Sequence, residues 1–468
     1  MAPRSLSVTC VVLLSGVLFA PAPNPGFEAG KTVPAIACSA DSKQTYALYL
    51  PSNFNTSRQW PIIYVFDPGA RGQLAVETVR AAAEQYGYIV VASNNSRNGP
   101  TGGSGEAADS IWRDTHQRFP IDKRRRYFAG MSGGARVATG LALNCGGCVA
   151  GVIADAAGFQ LNRDVAARVK FAYFGAVGDA DFNFPEFVEL QEKLGEYGLR
   201  HRIRVFAGDH GWAPPEVWQE ALNWMDIQAM ATGALPRDEK RIEETVKQEL
   251  ATAAQLRSQG DVLESFRRYE SVARDFGDLA DVSAARAAVA ELSHDKALRK
   301  AQKDERDEVL DQARLASEPS AQLQAVASDD FEPVALYRLR SQIADLKRQV
   351  AAAGDARARK ALVTRRILGG LVAQAFESGQ RCMEQKRFDA ALKYFDLAGA
   401  GSRHPEWAHY QRALAYARMS DKKGVLAELR LAVDGGLHDL AVLEADEFQP
   451  FREQPEFQAL VAELKQRP

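Results

Sequence analysis

The stretch RYFAGMSGG at residues 126–134 decides how the first half of the chain folds. Its Tyr127 and Phe128 have the character of a short buried strand, and residues 135–143 (ARVATGLAL) predict a helix directly afterwards. Ser132 stands between glycines at the turn from strand to helix. Glycine is required there because the turn is strained and because flanking side chains would collide with neighbouring backbone. The pattern predicts a serine hydroxyl that projects from a sheet edge; the alternative is a glycine-rich junction with a capping serine.

The overall composition limits what the chain can be. At 468 residues it is too long for one ordinary core, so two or three domains are expected. Hydrophobic residues make up 46% and charged residues 25%, which is typical of a globular protein. The formal net charge is -2, so no nucleic-acid partner is expected.

The first 25 residues predict a secretory signal peptide. Arg4 is the last charge before Glu28, and an apolar run at residues 6–20 is followed by several prolines. A positive start, a short apolar core and small residues after it are the marks of such a peptide. The run is short for a membrane span, which needs about 20 apolar residues. We therefore expect a secreted or periplasmic protein, with an uncleaved membrane anchor as the alternative and the cleavage position left open.

Export would make the cysteines candidates for disulfides. Cys145 and Cys148 are separated by two glycines at the C-terminal end of the helix predicted after Ser132. A redox-active pair normally lies at a helix N-terminus, where the helix dipole stabilises a thiolate. The position at the opposite end therefore favours a local structural disulfide. A zinc site would need two further ligands nearby, and the sequence offers none, so neither a metal nor a cofactor is expected.

Strand-like and helix-like segments alternate through residues 44–232, which we predict to form one domain after a linker at residues 26–43. This alternation indicates a mostly parallel α/β sheet, whose ligands bind beyond the carboxyl ends of the strands. Strands are predicted at residues 45–51, 61–67, 88–92, 127–129, 149–154, 171–177 and 202–207, and helices at residues 74–86, 105–119, 135–143 and 215–230.

Three chemically useful residues come at these carboxyl ends in the order serine, aspartate, histidine. Ser132 follows one strand, Asp181 comes after the strand at residues 171–177, and His210 comes after the strand at residues 202–207. This order, in this context, resembles the α/β-hydrolase family.

Two local sequences narrow the resemblance. FDPG at residues 66–69 and GDHGW at residues 208–212 look like compact esterases of the polyhydroxybutyrate-depolymerase and dienelactone-hydrolase type. The dienelactone branch uses a cysteine nucleophile where this chain has Ser132, which argues against the substrate of that branch. The resemblance covers roughly residues 40–230.

The resemblance implies a catalytic triad. A serine hydroxyl is a weak nucleophile at neutral pH, so Ser132 needs a base, and His210 is the expected one. An imidazolium formed at His210 needs an orienting carboxylate. Asp181 is preferred because its spacing after the strand matches the family, Asp179 is the second candidate and Asp155 the third.

The resemblance also implies donors for the oxyanion of a tetrahedral intermediate. One should be the backbone N–H of Gly133, the residue after the nucleophile. The other should come from the loop after the strand at residues 61–67. Gly69 or Ala70 is expected there, because Pro68 has no N–H.

The chain leaves little room for a lid over this site. Only about fifteen residues separate Asp155 from the next predicted strand, too few for an inserted lid domain. We therefore expect an open site, unless the second half of the chain or the loop at residues 93–107 covers it.

From about residue 236 the strand-like segments end and helix-forming residues dominate. Small and large apolar residues recur there with a period of 34 residues, which resembles the tetratricopeptide repeat, a helix–turn–helix unit. We predict a helical region at residues 238–370, then repeats with a C-terminal cap at residues 371–468. The recurring positions are Gly379, Cys382, Phe388, Ala391, Phe395 and Ala398 in one unit and Ala413, Tyr416, Val425, Leu429 and Ala432 in the next.

The helical region at residues 238–370 is less regular. Residues 253–272 resemble an earlier, degenerate copy of the repeat. Two long charged helices are predicted at residues 282–316 and 335–353, with a break near Pro319 between them.

Taken together, the sequence predicts an exported serine hydrolase that cleaves small-molecule or polymeric carboxylic esters through an acyl-enzyme. The helical repeats predict a protein or peptide partner, with buttressing of the hydrolase unit or self-association as the alternative. Two other functions fit the same residues: a binding scaffold whose hydrolase unit is inactive, and a serine peptidase or acyltransferase. The acyl group and the leaving group are not specified by the sequence.

Overall fold

The computed structural model describes residues 26–99, 103–328, 330–356 and 358–466. The predicted signal peptide, on which the expected export depends, lies outside these ranges. Within them, no helix is both long enough and apolar enough to cross a membrane.

Eight strands of the described chain form one sheet. The strands are β1 (Thr32–Ala37), β2 (Thr45–Tyr49), β3 (Trp60–Phe66), β4 (Ile89–Ser93), β5 (Ile121–Met131), β6 (Gly151–Asp155), β7 (Ala172–Gly178) and β8 (His201–Phe206). Their order in the sheet is β1-β2-β4-β3-β5-β6-β7-β8. β2 is antiparallel to both of its neighbours, β1 and β4, and the six strands β3 to β8 are parallel to one another. This is the mostly parallel sheet that the alternation predicts.

Helices cover both faces of this sheet, as the all-apolar sequence of β3 requires. Side chains alternate across that strand: Ile62 and Tyr64 belong to the core on one face, and Ile63 and Val65 to the core on the other. The sheet and its helices form an α/β-hydrolase fold. The helices are α1 (Gly72–Tyr86), α2 (Ser104–Arg118), α3 (Gly133–Asn144), α4 (Arg163–Ala166), α5 (Phe184–Glu196) and α6 (Pro215–Ala231).

The expected linker at residues 26–43 contains the edge strand β1. Its pairing with β2 shifts register between Val33 and Ile36, beside Pro34, which has no N–H to donate. Because of these irregularities the local sequence does not predict the strand, and its pairing with β2 stabilises it instead.

The rest of the described chain is helical. In α6, Ile227 and Met230 belong to the same core as residues of the first two helices that follow, so the two parts of the chain are packed together. The helices are α7 (Glu239–Ser258), α8 (Val262–Asp275), α9 (Ser283–Leu292), α10 (Lys296–Ala325), α11 (Pro333–Ala352), α12 (Arg359–Glu384), α13 (Phe388–Gly401), α14 (Pro405–Arg418), α15 (Lys422–Asp434) and α16 (Pro455–Gln466), with 3-10 helices at Leu440–Glu444 and Asp446–Phe451.

Two helix boundaries differ from the prediction. The helix expected at residues 282–316 is divided before α10, where the Asp295 side chain accepts from the N–H of Ala297 and caps a new helix. The break expected near Pro319 is absent, because α10 continues through it. An interior proline removes one helical hydrogen bond, and the packed turns on either side outweigh that loss.

Candidate active site

Ser132 lies between the end of β5 and the start of α3, at the turn that the sequence predicts. Its backbone has φ 53° and ψ -122°, a conformation that residues other than glycine rarely adopt. The N–H of Ser132 donates to the carbonyl of Asp155 at 2.8 Å, which fixes the turn against β6. Strain of this kind persists only where the surrounding structure holds it, and such positions cluster at functional sites.

The flanking glycines are explained by close backbone contacts. A Cβ on Gly134 would overlap the carbonyl of Phe66, and a Cβ on Gly130 would lie 2.7 Å from the same oxygen. Neither position can accept a side chain without moving β3, which confirms the steric reason for the glycines.

The structure brings Ser132, His210 and Asp181 into one hydrogen-bonded chain. His210 Nε2 lies 2.9 Å from Ser132 Oγ, and His210 Nδ1 lies 2.9 and 3.0 Å from the two carboxylate oxygens of Asp181. With the proton on Nδ1, the ring donates to Asp181 and Nε2 accepts from the serine hydroxyl. Asp181 is fully buried, and the His210 side chain is 21% exposed. This is the geometry in which a histidine can take a proton from a serine.

The two other candidate carboxylates hold the loop after β8 instead of contacting His210. Asp179 accepts from the N–H of Gly208 at 3.0 Å, and Asp155 accepts from the N–H of Ala213 at 2.6 Å. Burial raises the pKa of Asp155 well above its usual range, which favours its neutral form. Both residues therefore position the loop that carries the histidine.

The predicted oxyanion donors differ in whether their N–H groups already have an acceptor. Gly133 begins α3, where the first N–H groups of a helix have no intrahelical acceptor. Gly69 N–H donates to the Asp67 side chain at 2.8 Å, and Ala70 N–H donates to the Asp67 carbonyl at 3.1 Å. Gly69 and Ala70 are thus engaged within their own loop, which Arg71 also holds through two bonds to the Asp67 carboxylate.

Asn98 is a site residue that the sequence does not reveal. Its side-chain amide lies against Gly133 with Oδ1 nearest, and a Cβ on Gly133 would overlap that oxygen. Its own N–H donates to the carbonyl of Pro68 at 2.9 Å, and a bridge pairs Gly69 with Arg97. Residue 98 stands in a polar loop without a motif, and only the tertiary fold places it beside residue 133.

Phe182 covers one side of the histidine. Its ring lies on the His210 ring with centroids 4.1 Å apart and an angle of 30° between the planes. The carbonyl of Phe182 accepts from Gln312 of α10 at 3.0 Å. The second half of the chain therefore reaches the site on this side, while residues 100–102 of the loop at residues 93–107 lie outside the described part.

Cys145 and Cys148 form the expected disulfide, which lies at the C-terminal end of α3, opposite the end that carries Ser132. Cys38 and Cys382 are buried free thiols within the described ranges. Burial raises the pKa of the Cys38 thiol to about 11, which leaves it unreactive at neutral pH.

No protein-family model matches the chain, and no curated protein matches it. Solved structures match about two fifths of it at low identity, and likenesses this distant do not assign an activity. Examples are the S-formylglutathione hydrolase FrmB from Staphylococcus aureus (17% identity, 39% of this chain and 90% of that chain, TM-score 0.33), the fluorophosphonate-binding serine hydrolase FphF from Staphylococcus aureus (16%, 42% and 97%, 0.35) and a ferulic acid esterase (20%, 41% and 94%, 0.33).

Proposed function

We propose that the protein is a serine hydrolase that cleaves carboxylic esters through an acyl-enzyme. The observation that carries this proposal is the hydrogen-bonded chain from Asp181 through His210 to the strained Ser132. A serine on a strand-to-helix turn, with a histidine at hydrogen-bond distance and a buried carboxylate behind it, is the arrangement that activates a hydroxyl for acyl transfer.

The reaction would run in two halves. Ser132 Oγ attacks the ester carbonyl while His210 Nε2 takes its proton, and Asp181 stabilises the imidazolium. His210 then protonates the departing alcohol, which leaves the acyl group on Ser132. A water molecule, deprotonated by His210, attacks the acyl carbonyl, and the proton returns to Ser132 as the acid is released.

We assign the oxyanion to two donors, the N–H of Gly133 and the side-chain amide of Asn98. The side chain of Asn98 lies against Gly133, and the assignment takes its Nδ2 as the atom that faces the oxyanion. The engagement of Gly69 and Ala70 with Asp67 also supports it. Donors that are already in place when negative charge develops lower the barrier because little has to reorganise.

The second half of the chain is proposed to contain tetratricopeptide-like repeats. In α12 and α13, Gly379 lies directly under the ring of Phe395, and a Cβ there would meet that ring. The residues 34 positions later, Ala413 and Leu429, are both fully buried. The peptide or protein partner, the export of the chain and its secreted or periplasmic location stay predictions.

A fluorophosphonate probe tests the nucleophile directly. We expect the wild-type protein to be labelled on one serine and to hydrolyse a short-chain p-nitrophenyl ester, and Ser132→Ala to lose both properties because the nucleophile is gone. Ser258→Ala, at an exposed serine at the end of α7, is the control and should label like wild type. A folded wild-type protein that neither labels nor hydrolyses the ester would contradict the proposal and favour a binding scaffold.

A further inference from the structure

Helix α12 touches both loops that carry the candidate acid and base. Arg366 Nε donates to the carbonyl of Asp179 at 2.7 Å, in the loop after β7. The neighbouring Arg365 binds the carboxylate of Asp209 at 2.6 Å, in the loop after β8. Adjacent residues of one helix thus hold the two loops whose separation sets the geometry of the site.

Arg366 is the more enclosed of the two arginines, with a side chain that is 1% exposed. Its guanidinium also pairs with Glu308 of α10 at 3.1 Å and lies 3.7 Å from the centre of the Phe184 ring. The planar, multidentate guanidinium suits this role because it can bind a carbonyl, a carboxylate and a ring face at once. Its donors face protein groups, so its role is to hold structure and not to bind substrate.

Asp209, the residue before the histidine, is held from two places in the helical region. Arg365 binds one carboxylate oxygen at 2.6 Å, and Arg403, which follows α13, binds the other at 2.7 Å. The loop after β8 is therefore attached to α12 and to the turn after α13, as well as to the sheet domain through Ala213.

Phe182 connects these contacts to the histidine ring. Its own ring lies on His210, and a Cβ placed on Gly370 of α12 would lie 3.4 Å from Phe182 Cβ. Gln312 of α10 fixes the carbonyl of the same residue. The side of the His210 ring that Phe182 covers is thus backed by helices from the second half of the chain.

We propose that the helical region is an integral part of the active site and that Arg366 is a positioning residue, which holds the Asp181 loop in register with His210. The inference rests on the proposed esterase function. The triad distances of 2.9–3.0 Å depend on two loops that follow different strands. A displacement of about 1 Å in such a geometry can lower the rate about a hundredfold.

The test uses the full-length protein and a short-chain p-nitrophenyl ester. Arg366→Ala is expected to lower kcat about 10- to 100-fold, with a parallel fall in the rate of fluorophosphonate labelling. KM should stay within about twofold, because no group that contacts substrate is changed. Arg366→Lys keeps the charge but loses the planar fork, so it should recover only part of the rate.

Arg359→Ala is the matched control. Arg359 lies on the same helix and pairs at 2.7 Å with Asp311 of α10, so its loss breaks an ion pair within the helical region and leaves both loops held. This variant should keep the wild-type kcat, and calorimetric melting of each variant shows whether it is folded. A loss of rate in Arg359→Ala equal to that in Arg366→Ala would overturn a specific role for Arg366.

The outcomes separate the inference from the proposed function. An active wild type with a folded Arg366→Ala of unchanged kcat and labelling rate overturns the inference alone. An inactive wild type overturns the proposed function and the inference with it. If Arg366→Ala does not fold, Arg366→Lys takes its place, because it keeps a positive charge beside Glu308: a fall in kcat of about three- to tenfold in the folded variant supports the inference, and a wild-type kcat refutes it.

Discussion

The two ends of strand β8 carry two polar networks that differ in charge and in exposure. Near its start, Arg202 pairs with Glu249 at 2.9 Å and with Asp275 at 3.2 Å. Beyond its carboxyl end, His210 joins Asp181 to Ser132. The first network consists of full charges that neutralise one another, and the second of one carboxylate, an imidazole and a hydroxyl.

The Arg202 network joins the sheet to the helical region. Glu249 comes from α7 and Asp275 from α8, and Arg268 of α8 also binds Glu249, at 2.8 Å. Removing charges from water is costly, and mutual attraction between buried ions repays that cost only when every member is paired. The network therefore fixes how α7 and α8 dock more than it adds net stability.

The Ser132 network is arranged for reactivity. The backbone of Ser132 is strained, and the His210 side chain keeps 21% of its surface exposed. A reactive hydroxyl needs access to a substrate, so this network cannot be closed on all sides. The contrast teaches that one strand can support a structural network at one end and a reactive one at the other. Substitutions in the first should change folding, and substitutions in the second should change the rate of reaction.

The largest expected effect is on stability, at the start of β8. Arg202→Ala takes one counter-ion from each of the buried carboxylates Glu249 and Asp275, which keep Arg268 and Arg274, so the free energy of unfolding should fall by about 3 kcal/mol. Urea unfolding followed by tryptophan fluorescence measures the change. The fraction that remains folded should keep its kcat, because the triad is untouched.

Arg257→Ala is the control for this substitution. Arg257 pairs with Glu291 on the surface, and exposed pairs contribute about 1 kcal/mol or less. If Arg202→Ala changed kcat and left the free energy of unfolding unaltered, the assignment of a structural role to the Arg202 network and a reactive role to the Ser132 network would be wrong.

The next effect is on rate, at the other end of the strand. Asn98→Ala removes a proposed oxyanion donor, so kcat should fall about 100-fold, within the range found when one such donor is lost. The free energy of unfolding should change by less than about 1 kcal/mol, because Asn98 is exposed. Steady-state ester kinetics and urea unfolding of the same preparation check both parts.

Asn53→Ala changes another exposed asparagine, before β3, and should leave kcat unaltered. A rise in KM with an unchanged kcat would show that Asn98 contributes only to substrate binding, since uniform binding does not alter the rate of the chemical step. That result would mean that Asn98 is not the second oxyanion donor beside the N–H of Gly133.

The sequence predicts the local parts of this molecule and misses those that depend on distant contacts. The turn at Ser132 and the strand ends before Asp181 and His210 could be predicted, because glycine sterics and apolar runs are local signals. Asn98 and Arg366 could not, since each acts through a residue far away in the chain. The fold class is confirmed, whereas the catalytic roles of the site residues stay a prediction.

The misses in secondary structure have the same origin. β1 contains Pro34 and a register shift, so its pairing with β2 and not its own pattern makes it a strand. From the local sequence Pro319 predicts a break in the helix, yet α10 continues through this residue because its neighbouring turns are packed. In both cases tertiary contacts override a local preference.

The smallest expected effect concerns acid pH, and it tests whether the Arg202 network is ionic. Burial opposes ionisation of Glu249, but Arg202 and Arg268 outweigh it and hold the pKa of Glu249 below its usual value of 4.5. A carboxylate with a lowered pKa in the folded state stabilises the protein above its unfolded-state pKa, and this contribution is lost as the pH falls. Between about pH 5 and 3, the wild type should therefore lose about 1–2 kcal/mol more than Glu249→Gln does.

Urea unfolding at a series of pH values measures this difference in slope. Glu239→Gln, at an exposed position of the same helix, is the control and should follow the wild-type profile. If Glu249→Gln and the wild type lost stability in parallel, Glu249 would not be held ionised in the folded state. The network at the start of β8 would then be one of neutral hydrogen bonds, and its contrast with the Ser132 network would rest on exposure and strain alone.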